Sequence, residues 1–272
     1  MNIKIIGASF TALLLASAPA ASQILGSAAN FGVLGGTAGV TNTGPTIVTG
    51  NVGVWPAASI TGFPPGLVVN GFLHRGDVIA QQAQADTTAA YLVLDGLVGA
   101  AILPALGGQT LTPGIYNTGG GVADLTGTLT LDGPGRYVIQ VNSLTTAAGL
   151  GAAIVSLING ATPCDVFWQV DNSAALGTFT VFQGNILALT SITIDTSASL
   201  SGRALARNGT VTLASNAVTA CSGGTTPGFI VPPVAAIPPL GGNIPTLSEW
   251  AMILLATLMA FAGIAAMRRR GR

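Results

Sequence analysis

The chain of 272 residues predicts an all-β solenoid with one long helix, namely a parallel β-helix flanked by an α-helix. Three consecutive stretches of about 18 residues, 166–183, 184–201 and 202–219, each hold two short runs of alternating apolar residues separated by Gly, Asn or Ser. Residues 128–143 follow the same pattern. Such units, with few hairpin dipeptides between them, are typical of stacked parallel coils. An antiparallel sandwich is the alternative, and the regular period favours the solenoid.

One segment, about 77–98, breaks the β pattern because it lacks proline and is rich in Ala and Gln. Asp77 is suited to cap a helix here, and Gly96 or Gly99 to end it. A helix of this length spans about 30 Å, as do six coils stacked about 4.8 Å apart, so we expect it along one flank of the solenoid. Its predicted apolar stripe is Ile79, Ala83, Ala90, Val93 and Leu97.

The N-terminus, residues 1–22, is predicted to be a signal peptide. Lys4 provides the charged start, residues 10–16 form an apolar core, and Ala18-Pro19-Ala20 offers a cleavage site. A cut after Ser22 is equally acceptable. This segment therefore predicts export and lies outside the fold.

The C-terminus has three parts: the motif 244–250, an uncharged span 251–267, and a tail with four arginines. The span is at the short end of what crosses a bilayer, and the arginines predict a cytoplasmic tail. The motif residues are Ile244, Pro245, Thr246, Leu247, Ser248, Glu249 and Trp250.

This layout resembles the IPTL-type C-terminal sorting domain, a relative of the PEP-CTERM signals of Gram-negative bacteria. The resemblance implies export through the inner membrane, transient anchoring in it, and recognition by a membrane-embedded sorting protease. Transfer to the cell surface or the medium would follow. A plain tail anchor is the alternative. Residues 222–243, rich in Pro and Gly, are predicted to be an extended linker before the signal.

The remaining domain, residues 23–221, is sparsely charged and weakly acidic, with a net charge of −4 from four arginines and eight aspartates. No basic stripe is available to neutralise phosphates, so nucleic acid is not an expected partner. We expect Arg203 and Arg207 to pair with Asp171 or Asp195 on neighbouring coils. The charged residues are Arg75, Arg136, Arg203, Arg207, Asp77, Asp86, Asp95, Asp124, Asp132, Asp165, Asp171 and Asp195.

The sequence offers little catalytic chemistry. His74 is the only histidine and Glu249, inside the sorting motif, the only glutamate. No Ser-His-Asp set forms without His74, and no phosphate-binding glycine loop follows a strand. We therefore predict no enzyme activity, no cofactor and no metal site. Cys164 and Cys221 are the only cysteines, and a disulfide between them is chemically allowed after export. Whether the fold brings them together stays open.

Eight segments of the domain, in order, resemble the bacterial and fungal ice-binding protein family. The resemblance implies a right-handed, discontinuous β-helix in which N-terminal coils stack beside coils made after the helix. It also implies that a flat face binds ice, that is, ordered water. The segments are LGSAANFGVLGG at Leu25, VTNTGPTIVTGNVGV at Val40, ITGFPPG at Ile60, AQADTTAAY at Ala83, LTPGIY at Leu111, FWQV at Phe167, GNILALTSITIDT at Gly184 and GRALARNGTVTL at Gly202.

Ice contact requires a flat, rigid surface with regular hydroxyls and methyls, and threonine supplies both on a stiff side chain. The first candidate grid is T-x-T on strands, with Leu129, Phe179, Ile192 and Val211 pointing inward. An ordinary solvent face is the alternative, since Thr is common in strands. The grid residues are Thr128, Thr130, Thr178, Thr180, Ser191, Thr193, Thr210 and Thr212.

The second grid follows the family's usual T-A/G-x-T/N pattern, which occurs in altered form at 146–149, 173–176 and 196–199. Its candidate residues are Thr146, Ser173, Thr196 and Ser199. The functional hypothesis is a surface-displayed ice-binding protein that depresses freezing or inhibits ice recrystallisation. The alternative is a surface-sorted structural or adhesive protein of the biofilm matrix without affinity for ice.

Overall fold

The computed structural model describes residues 24–149 and 151–221. The predicted signal peptide, linker, sorting motif and membrane span lie outside these residues. Within them, no helix is long and apolar enough to cross a membrane.

The regular structure of the described chain is made of short strands, the helix α1 (Val78–Asp95) and the 3-10 turns Gly26–Asn30 and Pro163–Asp165. The strands are β1 (Phe31–Gly35), β2 (Val40–Thr43), β3 (Ile47–Thr49), β4 (Asn51–Val54), β5 (Ile60–Thr61), β6 (Leu67–Val69), β7 (Leu73–Arg75), β8 (Ala100–Ala101), β9 (Thr110–Leu111), β10 (Gly114–Asn117), β11 (Val122–Leu125), β12 (Thr128–Asp132), β13 (Tyr137–Val141), β14 (Ser143–Thr146), β15 (Ile154–Ile158), β16 (Val166–Val170), β17 (Ala174–Leu176), β18 (Val181–Ala188), β19 (Ile192–Ile194), β20 (Ser199–Ala206), β21 (Val211–Ala214) and β22 (Ala217–Thr219).

Each full coil visits three faces in the same order, and the strands on each face pair in parallel. The helix-side face holds β8, β10, β13, β16, the second halves of β18 and β20, β1, β4 and β7. The seven-stranded face holds β11, β14, β17, β19, β21, β2 and β5. The third face holds β9, β12, β15, the first halves of β18 and β20, β22, β3 and β6.

The order of coils in the stack differs from their order in the chain. Strand β1 lies between β20 and β4, β2 lies between β21 and β5, and β3 lies between β22 and β6. The first coil therefore stacks on the last one. After β7, helix α1 carries the chain back to the other end of the stack, where β8 pairs with β10.

The strand register confirms the predicted period of 18 residues. Val181 pairs with Ser199, and Ser199 pairs with Ala217. On the helix-side face, Phe167 pairs with Asn185 in the same way. Inward side chains of every coil form one core, and a second cluster packs α1 against the helix-side face. A mostly parallel β solenoid with one helix, as the sequence predicts, is confirmed.

Helix α1 begins and ends close to the predicted positions. The Asp77 carboxylate accepts a hydrogen bond from the backbone N–H of Ala80 at 2.8 Å, and Gly96 ends the helix. Ala83 and Ala90 are buried as predicted, but Ile79 is 50% exposed, so its place in the stripe was wrong. The contact face is instead made mainly of small and polar side chains: Ala80, Ala83, Gln84, Thr87, Ala90, Tyr91 and Leu94. Small residues allow the helix backbone to approach the sheet closely.

A buried cluster closes the corner between the third face and the helix-side face. Cys164 and Cys221 form a disulfide there, with Cα atoms 5.6 Å apart. The Arg203 guanidinium, 5% exposed, donates to the Ala29 carbonyl at 2.6 Å, the Cys221 carbonyl at 2.8 Å and Asn185 Oδ1 at 2.7 Å. Burial lowers the pKa of Arg203 to about 10. We call Cys164, Cys221, Arg203 and Asn185 the corner clamp.

The expected pairing of the two arginines with aspartates on neighbouring coils was wrong. Arg203 uses backbone carbonyls and the Asn185 amide oxygen within the clamp. Arg207 lies over the ring of Tyr91, 4.6 Å from its centroid, and Tyr91 in turn donates its hydroxyl proton to Asp171 at 2.8 Å. For Arg207, the partner is therefore Tyr91 of helix α1 and not an aspartate of the next coil.

Candidate functional site

The seven-stranded face carries a row of outward threonines in continuous register. Each member lies opposite the next across a parallel strand pair, so adjacent side chains are about 4.8 Å apart. An aspartate stands at one end and an alanine interrupts the row. From end to end, this threonine row is Asp124, Thr145, Ala175, Thr193, Thr212, Thr41 and Thr61.

The alternation of each strand points these threonines to solvent. In β19, Ile192 and Ile194 are fully buried on either side of Thr193, and in β21 Val211 and Leu213 flank Thr212 in the same way. Within the described residues, Thr41, Thr61, Thr193 and Thr212 show no side-chain hydrogen bond to protein. Their hydroxyls are therefore free to bind water, while the β-branch restricts χ1 and keeps the row ordered.

A second row runs two residues earlier on the same face, but its hydroxyls are partly engaged. The Ser173 hydroxyl accepts from the Ser191 backbone N–H at 3.3 Å, and the Ser191 hydroxyl accepts from the Thr210 N–H at 3.2 Å. Thr210 donates its own hydroxyl proton to the Gly39 carbonyl at 3.0 Å. These side chains join successive coils, so this row is suited to stiffening the face beside the threonine row.

The third face has a different chemistry. One of its outward rows is largely aliphatic, and Val181 and Ile154 are each 40% exposed. Thr128 stands at one end of the row and Leu67 at the other, with Leu67 58% exposed. The full row is Thr128, Ile154, Val181, Ser199, Ala217, Ile47 and Leu67. Two residues further along each strand, a second outward row of the third face carries hydroxyls. Its members are Thr110, Thr130, Ser156, Gln183, Ser201, Thr219 and Thr49. The third face therefore sets a hydroxyl row, with Gln183 within it, beside the aliphatic row.

The structure divides the first predicted grid between faces. Thr193, Thr210 and Thr212 lie on the seven-stranded face, whereas Thr128 and Thr130 lie on the third face. The remaining pair, Thr178 and Thr180, is not on a strand. Phe179, expected inward, has φ of +63° and is 59% exposed, while Thr180 is fully buried. A left-handed residue at this corner reverses the alternation, so the inward and outward assignments here were wrong.

The second predicted grid does not form one surface either. Thr146 is 9% exposed, and its hydroxyl accepts from the Gly177 N–H at 2.8 Å. Ser173 is in the second row of the seven-stranded face, next to the threonine row. Ser199 is on the third face, and Thr196 lies at the corner between these two faces. The four-residue pattern spans a turn, so its members point in different directions.

Three members of the threonine row, Thr41, Thr61 and Thr145, were not predicted from the sequence. Thr41 and Thr61 belong to N-terminal coils whose repeats were not aligned with those after the helix. Their strands alternate buried and exposed residues, as in Val40–Thr43. That alternation was a usable signal, but assigning it to the same face required knowing that β2 pairs with β21.

We expect Thr180→Val to lower the free energy of unfolding by about 1–2 kcal/mol, because the Thr180 hydroxyl is 2.7 Å from that of Thr146 in a buried site. Valine keeps the volume and leaves one hydroxyl without its partner. Chemical denaturation measures the loss. Since neither hydroxyl faces solvent, any surface activity of the seven-stranded face should stay unchanged; a loss of that activity at unchanged stability would contradict the assignment.

The contacts of His74 hold the start of helix α1 against the helix-side face. Its Nδ1 lies 2.8 Å from Asp77 Oδ2, and its ring packs against Phe31 with centroids 5.4 Å apart. Among the residues that the structure describes, no group of three or more His, Cys, Asp or Glu side chains could hold a metal ion.

Comparisons with known proteins agree with this geometry. Residues 34–219 match the family model described as ice-binding-like, and residues 244–270 match that of the IPTL-CTERM motif. An ice-binding protein of Nostoc sp. (strain HG1) is 45% identical over 84% of this chain and 86% of its own.

Solved structures are similar as well. The crystal structure of an ice binding protein from an Antarctic biological consortium has a TM-score of 0.67 and 43% identity, covering 79% of this chain and 96% of that one. The crystal structure of an ice-binding protein from the Antarctic ascomycete Antarctomyces psychrotrophicus has a TM-score of 0.67 and 38% identity, covering 73% of this chain and 98% of that one.

Proposed function

The chain belongs to the ice-binding-like family, and from this premise we propose that it is a surface-displayed ice-binding protein that contacts ice through its seven-stranded face. The observation that carries the proposal is the threonine row, in which Thr193, Thr212, Thr41 and Thr61 follow one another on adjacent strands. The relatives named above are ice-binding proteins, and this row places free threonine hydroxyls on four adjacent strands.

The physical basis is the ordering of water by a repeated pattern of hydroxyls and methyls. Each strand fixes its threonine in one χ1 well, so little rotamer entropy is lost on contact. No single contact is strong, and binding depends on many groups registering together. Ala175 removes one hydroxyl from the row and Asp124 ends it with a charge. A threonine row that is interrupted in this way fits inhibition of recrystallisation better than strong freezing-point depression.

We propose export and surface sorting from the IPTL-CTERM motif, with residues 1–22 as signal peptide, 222–243 as linker and 251–267 as the membrane span. The compartment is the outside of a Gram-negative inner membrane, and the sorting protease is the protein partner. We also propose a right-handed coil, the hand that parallel crossovers adopt almost always, and a function without catalysis, cofactor or nucleic acid.

The test uses residues 23–243. The described residues include two hydrophobic core clusters and both cysteines, and the two solved relatives are matched over nearly their whole length by this domain, so it is expected to fold without the sorting signal. We expect the wild-type domain to shape ice crystals and to inhibit recrystallisation. Indifference of ice to it would favour the structural or adhesive matrix role instead.

We expect Thr212→Tyr to abolish most of the ice activity, because a ring standing above the row keeps neighbouring threonines from reaching the ice surface. Thr219→Tyr is the matched control, since Thr219 is an exposed strand residue of the third face. Both changes are on the surface and should shift the free energy of unfolding by less than about 0.5 kcal/mol. Recrystallisation assays at equal concentration measure the difference, and the opposite ranking would move the site to the third face.

A further inference from the structure

We infer that the corner clamp fixes the chain's exit to the corner opposite the threonine row, so that attachment through the C-terminal tail points the ice-contacting face away from the cell. This inference rests on the proposed function and adds an orientation and an attachment point to it. It concerns residues that the ice-contact argument does not use.

The position of the exit follows from the strand register. Ser201 pairs with Thr219, and Thr219 pairs with Thr49. The residues after these three, Gly202, Ala220 and Gly50, therefore share the corner where the third face meets the helix-side face. A Cβ on Gly50 would lie 3.0 Å from that of Ala220. Cys221 is thus the first residue past this corner, where β1 already occupies the helix-side position between β20 and β4.

This corner is the one that the seven-stranded face does not share. The seven-stranded face meets the helix-side face at one corner and the third face at another, near Thr196. Three faces around one core give a triangular section, in which the remaining corner lies opposite the seven-stranded face. Cys164, in the turn between β15 and β16, lies at this opposite corner as well. The disulfide therefore joins two points at the rear of the threonine row.

The corner clamp also determines which part of the domain resists tension on the C-terminal tail. Strand β22 is an interior strand between β20 and β3, so peeling it away would separate the first coil from the last. The disulfide transfers tension from Cys221 to Cys164 before it reaches β22. Arg203 holds the Cys221 carbonyl, and Asn185 donates to the Cys164 carbonyl at 3.2 Å. The junction is thus tied to the N-terminal segment through Ala29 and to the coil of Asn185.

The test compares two attachment points on one variant, Val122→Cys of residues 23–243 with a biotin acceptor peptide at the C-terminus. Val122 is 52% exposed on β11, an edge strand of the seven-stranded face, and is not a member of the threonine row. The other two cysteines are paired, so the new thiol is the single reactive one. One sample is biotinylated on the peptide with the thiol capped by a small group; the other is biotinylated only on the thiol. Streptavidin beads carrying equal amounts of each are allowed to settle on a growing ice surface in flow.

We expect beads tethered through the C-terminus to be retained on ice and beads tethered through residue 122 to be lost, because that tether turns the seven-stranded face towards the bead. Equal retention of both samples, or retention only through residue 122, would overturn the orientation. The capped variant free in solution is expected to shape ice crystals, because residue 122 lies outside the threonine row. If only the variant fails, Thr43→Cys, on β2 of the same face, takes its place; if the wild type fails too, the proposed function itself is wrong.

The clamp has its own measurement. In the double variant Cys164→Ser, Cys221→Ser, we expect faster amide hydrogen exchange at Val218, with exchange at Thr193 unchanged, and earlier release of C-terminally tethered beads as flow increases. Unchanged exchange at Val218 together with unchanged release would show that the clamp does not protect β22 from tension on the tail. Crystal shaping by this variant in solution should persist, which separates loss of the clamp from loss of the ice face.

Discussion

We expect Gly202→Ala to prevent the domain from folding. Gly202 has φ of +142° and pairs in register with Gly184 on the neighbouring coil. A Cβ at this position would lie 1.9 Å from the Gly184 carbonyl oxygen, which is backbone and cannot rotate away. The two coils would have to move apart at the corner that both β18 and β20 cross. Inserting extra methylene groups into a packed core usually costs about 1–3 kcal/mol, and this backbone clash is expected to cost more. Because the free energy of unfolding of a domain is only about 5–15 kcal/mol, such a loss can prevent folding.

Gly127→Ala is the matched control for this substitution. Gly127 also has positive φ, +82°, but a Cβ there would meet nothing within 4 Å. We expect it to cost only the strain of a left-handed alanine, about 1–2 kcal/mol. Soluble yield and thermal unfolding of both variants measure the contrast. Similar, mild destabilisation of the two proteins would show that the coils can separate at Gly202 and that the close approach is not needed.

The repeat was visible in the sequence because coil-to-coil contact imposes it. Gly184 and Gly202 recur with the offset of the stack, and the side chains between them alternate as each strand requires. Phe167, which faces the helix, and Trp168, which faces the inner core, could likewise be assigned to strands. These are local constraints that each coil satisfies by itself, so a single sequence displays them.

The face of each threonine could not be predicted in the same way. Alternation shows that Thr193 and Thr130 both point outward, but the corners between strands differ in length from coil to coil. A left-handed residue such as Phe179 also changes which neighbour turns inward. The stacking of β2 on β21 depends on the path of the helix, not on any nearby residue. The complete row therefore required the fold.

Buried polar groups were the other feature beyond reach of the sequence. Gln84 was not among the residues predicted to face the sheet, yet it is 7% exposed, and its side-chain amide donates to the Ala206 carbonyl at 2.9 Å and the Arg207 carbonyl at 3.1 Å. Such residues are placed by backbone carbonyls that the corners leave without strand partners. No periodicity marks them, because each satisfies a particular turn.

Arg203→Leu is expected to lower the free energy of unfolding by about 3–5 kcal/mol, the range for breaking a buried charged network by removing one partner. The substitution deprives the carbonyls of Ala29 and Cys221 and the amide oxygen of Asn185 of their donors. Each buried acceptor left without a donor costs about 1–3 kcal/mol. Relief of the desolvation that lowers the pKa of Arg203 offsets part of this loss, so the sum of three such costs is an upper limit.

Arg207→Leu provides the comparison, because Arg207 is half-buried and its guanidinium stacks on Tyr91 with only a 3.4 Å hydrogen bond to Thr88 Oγ1. A stacked arginine near the surface is worth about 0.5–1 kcal/mol, so the two variants should differ by about 2 kcal/mol or more in urea unfolding. Equal losses would mean that water replaces the guanidinium in the corner clamp. A loss in Arg203→Leu that disappears once Cys164 and Cys221 are reduced would instead show that the arginine acts only by seating Cys221 for the disulfide. In that case the covalent bond alone would hold the last strand between its neighbours.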